Sequence, residues 1–489
     1  MKKKILYAIA ILSFISVNKA FSQFSEDSLR QKINRIVRLY VDTNKAGMVV
    51  GIIRKEGSES FSGRYTYGHV RRDTLSPRPD SLTIFHIGSV TKTYTANILS
   101  MLIQQGGLLN LNDFADDHLP LNIVKAPFYV NGSGDTVKMR IIDLATHFSA
   151  LPDDPIHPVN DSTTYQMMYN YLNNHRLSRP PAECYLYSNL GISLLGTIVT
   201  HTLGSIIDSL FIQKLSNPLG MPDTRITLNS EQEHRRAVGY DINGDSVSYF
   251  KNSWPAFYAA GGLYTTLRDY MKYLEFNMGI NNHGMQNVID SAQKIRRVTN
   301  DTCDNPLSKG RIGLVWQMGL LYPQTDTTFY YTWKDGGVPG FVSFICFAEN
   351  KTRNLKTGVV MIANQSIPPG KLAVEILKYL NEDTVTGIMQ ITNNIPEAFI
   401  LYQNYPNPFN PETHLEFEIP EGGFVSLKVF DLLGNEVAVL VNEKLSPGRY
   451  KTNFNVRDVS KIRDLSSGVY FYRLKVNGFE QTKRMVLLK

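Results

Sequence analysis

The stretch "FHIGSVTKTYTANILSMLIQQGG", Phe85 to Gly107, decides how the chain is read. Val90, Tyr94, Ile98, Leu102 and Ile103 recur at helical spacing and the run ends on Gly106-Gly107, which predicts a helix from Ser89 to Gln105. Ser89 then sits in the first turn, with Lys92 one turn on and on the same face. A lysine in surroundings this apolar is desolvated, its pKa falls, and the neutral amine could take the proton of the Ser89 hydroxyl. The first-turn amides also favour negative charge forming beside them. The pair alone says little, because Ser-x-x-Lys occurs four times: Ser16/Lys19, Ser89/Lys92, Ser248/Lys251 and Ser291/Lys294. Context selects the second. The first lies in an apolar leader, the third precedes Trp254-Pro255 in a turn-like stretch, and the fourth lacks a glycine-rich approach.

The leader carries Lys2, Lys3 and Lys4, then an apolar run from Ile5 to Val17, then Ala20-Phe21-Ser22, the pattern of a secretory signal peptide cleaved before Gln23. The run is shorter than the roughly 20 residues that span a bilayer, and no cysteine follows the cleavage point to accept a lipid. The mature chain is therefore expected to be exported, with no integral membrane segment. Four lysines of the leader, unopposed by any acid, account for part of the formal charge of +7 and leave +3, which gives no case for nucleic acid as a partner. Three cysteines, Cys184, Cys303 and Cys346, are too few for a disulfide framework, and their odd number leaves at least one without an intrachain partner.

At 489 residues the chain is long for one domain. From about Ser25 to Leu380, apolar strands such as "MVVGIIR" (Met48 to Arg54) alternate with long helical stretches, as in an α/β domain with a large core. Around residues 381–399 the composition turns polar, and Pro406, Pro408, Pro411 and Pro420 follow among asparagines. Beyond them come short alternating strands, "LEFEI", "VSLKVFD", "EVAVLV", "YKTNFNV", "VYFYRLKV" and "QTKRMVLL", broken by turn signals at Leu433-Gly434-Asn435 and Asn477-Gly478. This predicts a signal peptide at 1–22, a catalytic-type domain at 23–385, a linker at 386–398 and a small all-β sandwich at 399–489.

A serine and a lysine need partners from elsewhere in the chain. "CYLYSNLGISLLGTIV" places Tyr187-Ser188-Asn189 at the mouth of a glycine-containing apolar helix ending near Gly204, where a phenol could be held beside lysines. Tyr-x-Asn recurs five more times, but only Tyr187 opens such a helix. "WKDGGVPGFVSFICF", Trp333 to Phe347, offers Lys334 as a positive charge and glycines that let backbone amides approach a substrate. A literal Lys356-Thr357-Gly358 is set aside, because it falls in the expected turn between "FVSFICF" and "VVMIAN", whereas Lys334 begins the first of those strands.

Taken in order, "FHIGSVTKTYTANILSMLIQQGGLLNLND", "LATHFSALP", "YLYSNLG", "AAGGLYTTLRDYMKYL" and "WKDGGVPGFVSF" resemble the serine β-lactamase-like family, which includes class C β-lactamases, D-alanyl-D-alanine carboxypeptidases and esterases. The resemblance covers nearly all of the large domain. It implies an antiparallel sheet flanked by helices, with an additional all-helical region. It further implies Ser89 as acylated nucleophile, Lys92 and Tyr187 as proton-transfer partners, Asn189 as a substrate amide contact and Lys334 as support for the tyrosine and the substrate. Gly336 and Gly337 fall on the substrate and oxyanion side, the oxyanion being held by the amides of Ser89 and Gly337. No cofactor is implied.

One position departs from the family: the usual Lys-Thr-Gly is Lys334-Asp335-Gly336. A carboxylate facing the site would repel the free carboxylate of a penicillin or a D-Ala-D-Ala peptide by a few kcal/mol in a partly dry cleft. An esterase or peptidase reading gains weight, acting on a small-molecule or peptide substrate. A D-alanyl-D-alanine carboxypeptidase or β-lactamase proper, and an inactive surface binding protein, are its alternatives. His147 in "THFSALP" reads as a packed or hydrogen-bonded histidine rather than a catalyst, and Trp254, Trp316 and Trp333 as core, with Trp333 near enough to Lys334 to line the cleft. The ten histidines show no metal-binding spacing, and there is no Gly-x-Ser-x-Gly elbow.

The C-terminal segments "YQNYPNPFNPETHLEFEIP", "VFDLLGNEVAVL" and "LSSGVYFYRLKVNGFEQTKRMVLLK" resemble the type IX (Por) secretion-system sorting domain of the Bacteroidetes and relatives. The resemblance implies engagement of that machinery by residues 399–489 and export across the outer membrane of a Gram-negative bacterium, to the surface or the medium. The alternative reading of the module is an adhesive or carbohydrate-binding sandwich.

Overall fold

The computed structural model of the protein describes residues 26–40, 47–72, 76–104, 107–120, 122–154, 164–247, 255–299, 310–323, 326–381, 389–392, 395–456 and 465–488. The expected signal peptide, Trp254, Cys303 and the Ser16/Lys19 and Ser248/Lys251 pairs lie outside these residues. The chain divides into two compact units, Arg30–Asn381 and one that contains Glu382–Lys489.

The larger unit is built on an eight-stranded sheet in the order Glu59–Tyr67, Met48–Glu56, Leu355–Ala363, Phe341–Asn350, Asp326–Val338, Gln317–Tyr322, Arg311–Ile312 and Arg297–Val298, antiparallel throughout. Met48–Glu56 runs against Leu355–Ala363 from Met48↔Ala363 to Glu56↔Leu355, so the two ends of the unit meet in its middle. Along these strands β-branched and apolar side chains (Val49, Val50, Ile52, Ile53, Val359, Val360, Ile362) are all buried, each contributing about 1.5–3 kcal/mol of apolar burial.

The predicted first helix is real but starts more tightly: Gly88–Val90 is a 3₁₀ turn and Thr91–Gln104 the α-helix. Every residue from Thr91 to Leu102 is buried, so this helix has no solvent face and runs through the core. Its polar side chains find partners inside: Thr93 Oγ1 donates to Val90 O, Thr95 Oγ1 to Ala259 O and Ser100 Oγ to Val288 O. An unpaired buried group would cost about 1–3 kcal/mol. The second predicted helix, Asn189–Leu203, is capped by the Ser188 hydroxyl, which accepts from Gly191 N, and ends at left-handed Gly204.

Two expectations are corrected here. Trp333 to Phe347 is not one strand but a hairpin, Asp326–Val338 turning through Pro339-Gly340 into Phe341–Asn350. Gly340 adopts φ +81°, a conformation that proline and glycine supply together. Lys334 therefore lies on the strand before the one to which it was assigned. Likewise Lys356-Thr357-Gly358 is not in a turn but inside the Leu355–Ala363 strand, with Lys356 Nζ donating to Met278 O, away from Ser89.

In the smaller unit two four-stranded sheets form the predicted sandwich: Met389–Thr392, Gly448–Asn455, Glu412–Ile419 and Ile400–Leu401 in one, and Glu436–Leu445, Gly423–Phe430, Gly468–Val476 and Phe479–Leu487 in the other. Thr413, Leu415, Phe417 and Ile419 are buried while the glutamates and histidine between them are not, the period-two signature of a one-sided strand. Asn477-Gly478, at φ +45° and +83°, closes the last hairpin. Met389–Thr392, within the segment expected to be linker, pairs with Gly448–Asn455 and so belongs to the sandwich. No single described helix is long and apolar enough to cross a membrane.

Candidate active site

Ser89 is placed by a chain reversal at Gly88, whose φ of +50° lies in the left-handed region. A side chain at Gly88 would stand 2.9 Å from the Gly337 nitrogen, so the glycine also lets the serine turn abut the Asp326–Val338 strand. That strand reaches the turn because Gly336 has no Cβ: one would sit 2.0 Å from the Ile87 carbonyl oxygen, which already accepts from Ser343 Oγ at 2.7 Å. Gly336 is thus a buried packing position, whereas Gly337 is exposed and lines the cavity. His86 fixes the turn from the other side, its Nδ1 accepting from Gly88 N at 3.0 Å. Burial, with Arg236 adding to it, drives the His86 pKa down to about 3, so the ring stays neutral and keeps that lone pair.

The remote segments converge on Ser89. Tyr187 OH donates to Ser89 Oγ at 2.8 Å, and Lys92 Nζ lies 3.0 Å from the same oxygen. Lys92 Nζ also meets Asn189 Oδ1 at 2.6 Å and the Ala260 carbonyl at 2.7 Å. Lys92 is wholly buried; desolvation, with Lys334 repelling from nearby, holds its pKa well below the usual lysine value, while Asp153 and Asp335 pull the other way. Burial pushes the Tyr187 phenol up, so it stays protonated, and both lysine nitrogens face its ring, Lys92 Nζ at 5.0 Å and Lys334 Nζ at 5.4 Å from the centroid.

Lys334 does not touch the tyrosine hydroxyl. Its buried ammonium donates to the Asp335 carbonyl at 2.8 Å and the Asp335 carboxylate at 2.7 Å. The Asp335 side chain is 55% exposed; burial alone would raise its pKa, but Lys334 outweighs this and holds it below the ordinary carboxylate value. Trp333 stacks on Phe344 and is not among the cavity-lining residues.

Several residues of the site had no distinct signal in the sequence. Asp153 Oδ1 accepts from the Asn189 backbone N–H at 3.0 Å and so anchors the residue whose side-chain amide meets Lys92. The Ala260 carbonyl comes from "AAGGLYTT", whose motif value lay in its backbone. His147 is hydrogen-bonded as well as packed: its carbonyl accepts from Leu186 N at 2.8 Å, its Nδ1 from Ser188 N at 3.2 Å, and its ring lies 4.6 Å from that of Tyr187. It thus grips the residues on both sides of the phenol, from a backbone at φ +59°. Only its place in "LATHFSALP" marked it.

Ser89 and Asn189 open on a cavity of about 290 Å³ whose walls are largely apolar, including Ile226, Phe257, Tyr258, Val338 and Pro339. Among the described residues no group of His, Cys, Asp and Glu is arranged to hold a metal ion. Cys346 is a buried free thiol, with its pKa raised by burial.

The β-lactamase family model matches residues 28–380, well over half of the chain. The chain belongs to the β-lactamase family. It is accordingly a serine hydrolase. It is similar to the D-alanyl-D-alanine-carboxypeptidase/endopeptidase AmpH of Escherichia coli (strain K12), 27% identical over 364 residues that cover 72% of this chain and 89% of that protein. It is also similar to a β-lactamase of Lysobacter lactamgenus, 26% identical over 420 residues, 79% of this chain and 99% of that one. The fold is that of the β-lactamase/D-alanine carboxypeptidase from Yersinia pestis solved with citrate, with a TM-score of 0.58 at 21% identity, covering 72% of this chain and 98% of that one. Residues 403–488 match the secretion system C-terminal sorting domain, which directs this hydrolase to the cell surface or the exterior by type IX secretion.

Proposed function

We propose that this protein hydrolyses an ester or amide outside the cell through an acyl-enzyme on Ser89, with Lys92 as the base. The observation that carries this reading is the set of partners around Lys92 Nζ. Asn189 Oδ1 and Ala260 O can only accept hydrogen bonds, so both need an N–H from the amine. A neutral amine has two N–H groups, and satisfying those acceptors leaves its lone pair facing Ser89 Oγ. Burial and Lys334 favour that neutral form.

The Ser89 proton passes to Lys92 as Oγ bonds to the substrate carbonyl carbon, and the amides of Ser89 and Gly337 receive the oxyanion. Tyr187, already donating to Oγ, protonates the leaving group as the carbonyl bond breaks and is reprotonated by Lys92. Water then attacks the acyl-enzyme by the same route reversed. Asn189 holds Lys92 and borders the cavity, where it can also contact a substrate amide.

The test offers the chain a short aryl ester, a fluorescent penicillin and a D-Ala-D-Ala peptide, with mass spectrometry locating any adduct. Turnover of the ester with an acyl mass on the Ser89 peptide, lost by at least about 10³-fold in Ser89→Ala, is the expected outcome. Likeness to AmpH and to β-lactamases favours a second reading, in which the peptide or the penicillin is the better substrate. No adduct with any of the three, and Ser89→Ala matching the parent chain, would leave a binding protein on an inactive scaffold.

A further inference from the structure

Two facts about charge at this site do not follow from its family. Among the described residues no lysine or arginine lines the cavity beside Ser89, and the one charged residue that does is an acid, Asp154. Among the described residues two amines stand at the site and both are engaged, Lys92 with Ser89, Asn189 and Ala260 and Lys334 with the Asp335 carboxylate and carbonyl, while Arg236, which lines the adjoining cavity, is paired with Glu233. Asp335 stands two residues before cavity-lining Gly337 and on the same exposed side of the strand, since Lys334 and Gly336 between and before them are buried. Its charge is felt by both Lys92 and Tyr187.

We propose that Asp335 is the specificity residue that excludes carboxylate-bearing substrates from Ser89, so that the site takes esters or amides whose group beside the scissile bond is uncharged and apolar. The inference rests on the acyl-enzyme reading above. Among the described residues, a carboxylate arriving at the mouth finds no ammonium that is not already engaged. To obtain Lys334 it must displace the 2.7 Å ion pair and then lie against the carboxylate it displaced. A neutral aryl or alkyl group meets no such obstacle and is received by Ile226, Phe257, Tyr258, Val338 and Pro339, whose apolar surface it covers.

A matched pair of acetyl esters tests this with the full chain: 3-acetoxybenzoate and 3-acetoxybenzamide, followed by release of the phenol and corrected for hydroxide hydrolysis. The parent chain is expected to favour the amide-bearing ester by at least about tenfold in kcat/KM, and Asp335→Asn, which removes only the charge, to bring the two within about threefold by raising turnover of the acid. Asp335→Thr should act in the same direction. If Asp335→Asn is poorly folded, the parent chain still decides the matter. Raising ionic strength from about 0.05 to about 0.5 M shortens the screening length and narrows the preference if it is electrostatic. Equal turnover of both esters by the parent chain, a ratio unmoved by Asp335→Asn, or a ratio indifferent to salt would each overturn the proposal. Ser89→Ala separates the two levels: its inactivity on both esters upholds the acyl-enzyme whichever way the ratio falls, and its activity removes the acyl-enzyme itself.

Discussion

At Lys92 the protein holds a basic group where charge is disfavoured, and the pH profile should report it. The pKa is lowered, so the neutral base is present above it and lost as pH falls through it; kcat/KM should climb with pH along a limb far below the usual lysine range. Lys334 contributes to that lowering and Asp335 opposes it. Lys334→Met should therefore move the limb to higher pH and Asp335→Asn to lower pH, shifts of opposite sign read from the same assay. Tyr187→Phe removes the proton donor 2.8 Å from Ser89 Oγ and should cost about 10²–10⁴-fold in kcat with KM little changed. His147 acts one step back from this. His147→Leu removes the acceptor for Ser188 N and should lower kcat about tenfold. His147→Asn keeps an acceptor and tolerates the positive φ, and should recover most of the loss. In a Tyr187→Phe background His147→Leu should cost nothing more, because a positioning residue has no effect once the group it positions is gone.

At the scale of elements, the site depends on a hairpin strand meeting a helix entry at two glycines with different duties. Gly336→Ala would put a methyl group 2.0 Å from the Ile87 carbonyl, and the backbone cannot yield cheaply. Stability should fall by about 1–3 kcal/mol or more, seen as a lower Tm, together with activity. Gly337→Ala meets nothing within 4 Å and should leave Tm unchanged while lowering kcat/KM, because the methyl group enters the space that substrate uses. The Ser89 helix and the Tyr187 helix were legible because their apolar period and glycine ends are local properties. The hairpin was not: "WKDGGVPGFVSFICF" is apolar on both sides of Pro339-Gly340, and a continuous apolar run does not announce where a buried strand turns. Lys356-Thr357-Gly358 was rightly set aside, but it was placed in a turn because one strand's start and a turn's end share a composition.

At the scale of the whole molecule, the hydrolase unit and the sandwich have separate buried cores, one running from Val49 to Ile362 and the other from Leu401 to Leu487. A chain ending at Asn381 should keep kcat/KM within about twofold and yet fail to appear outside the cell, as immunoblots of medium and cell fractions would show. Retention of export by the shortened chain would set the sorting role of residues 403–488 aside. The amino-acid sequence by itself determined the two-part organisation, the helix that begins beside Ser89 and the candidates Ser89, Lys92, Tyr187, Asn189 and Lys334, because periodicity, turn residues and ordered motifs are written along the chain. Only the tertiary structure decided that Lys92 is wholly buried between Asn189 and Ala260, that His147 and Asp153 hold the tyrosine segment, and that Lys334 is taken up by Asp335. Desolvation and ion pairing depend on which distant groups share a few ångströms, and neighbours in space are not neighbours in sequence.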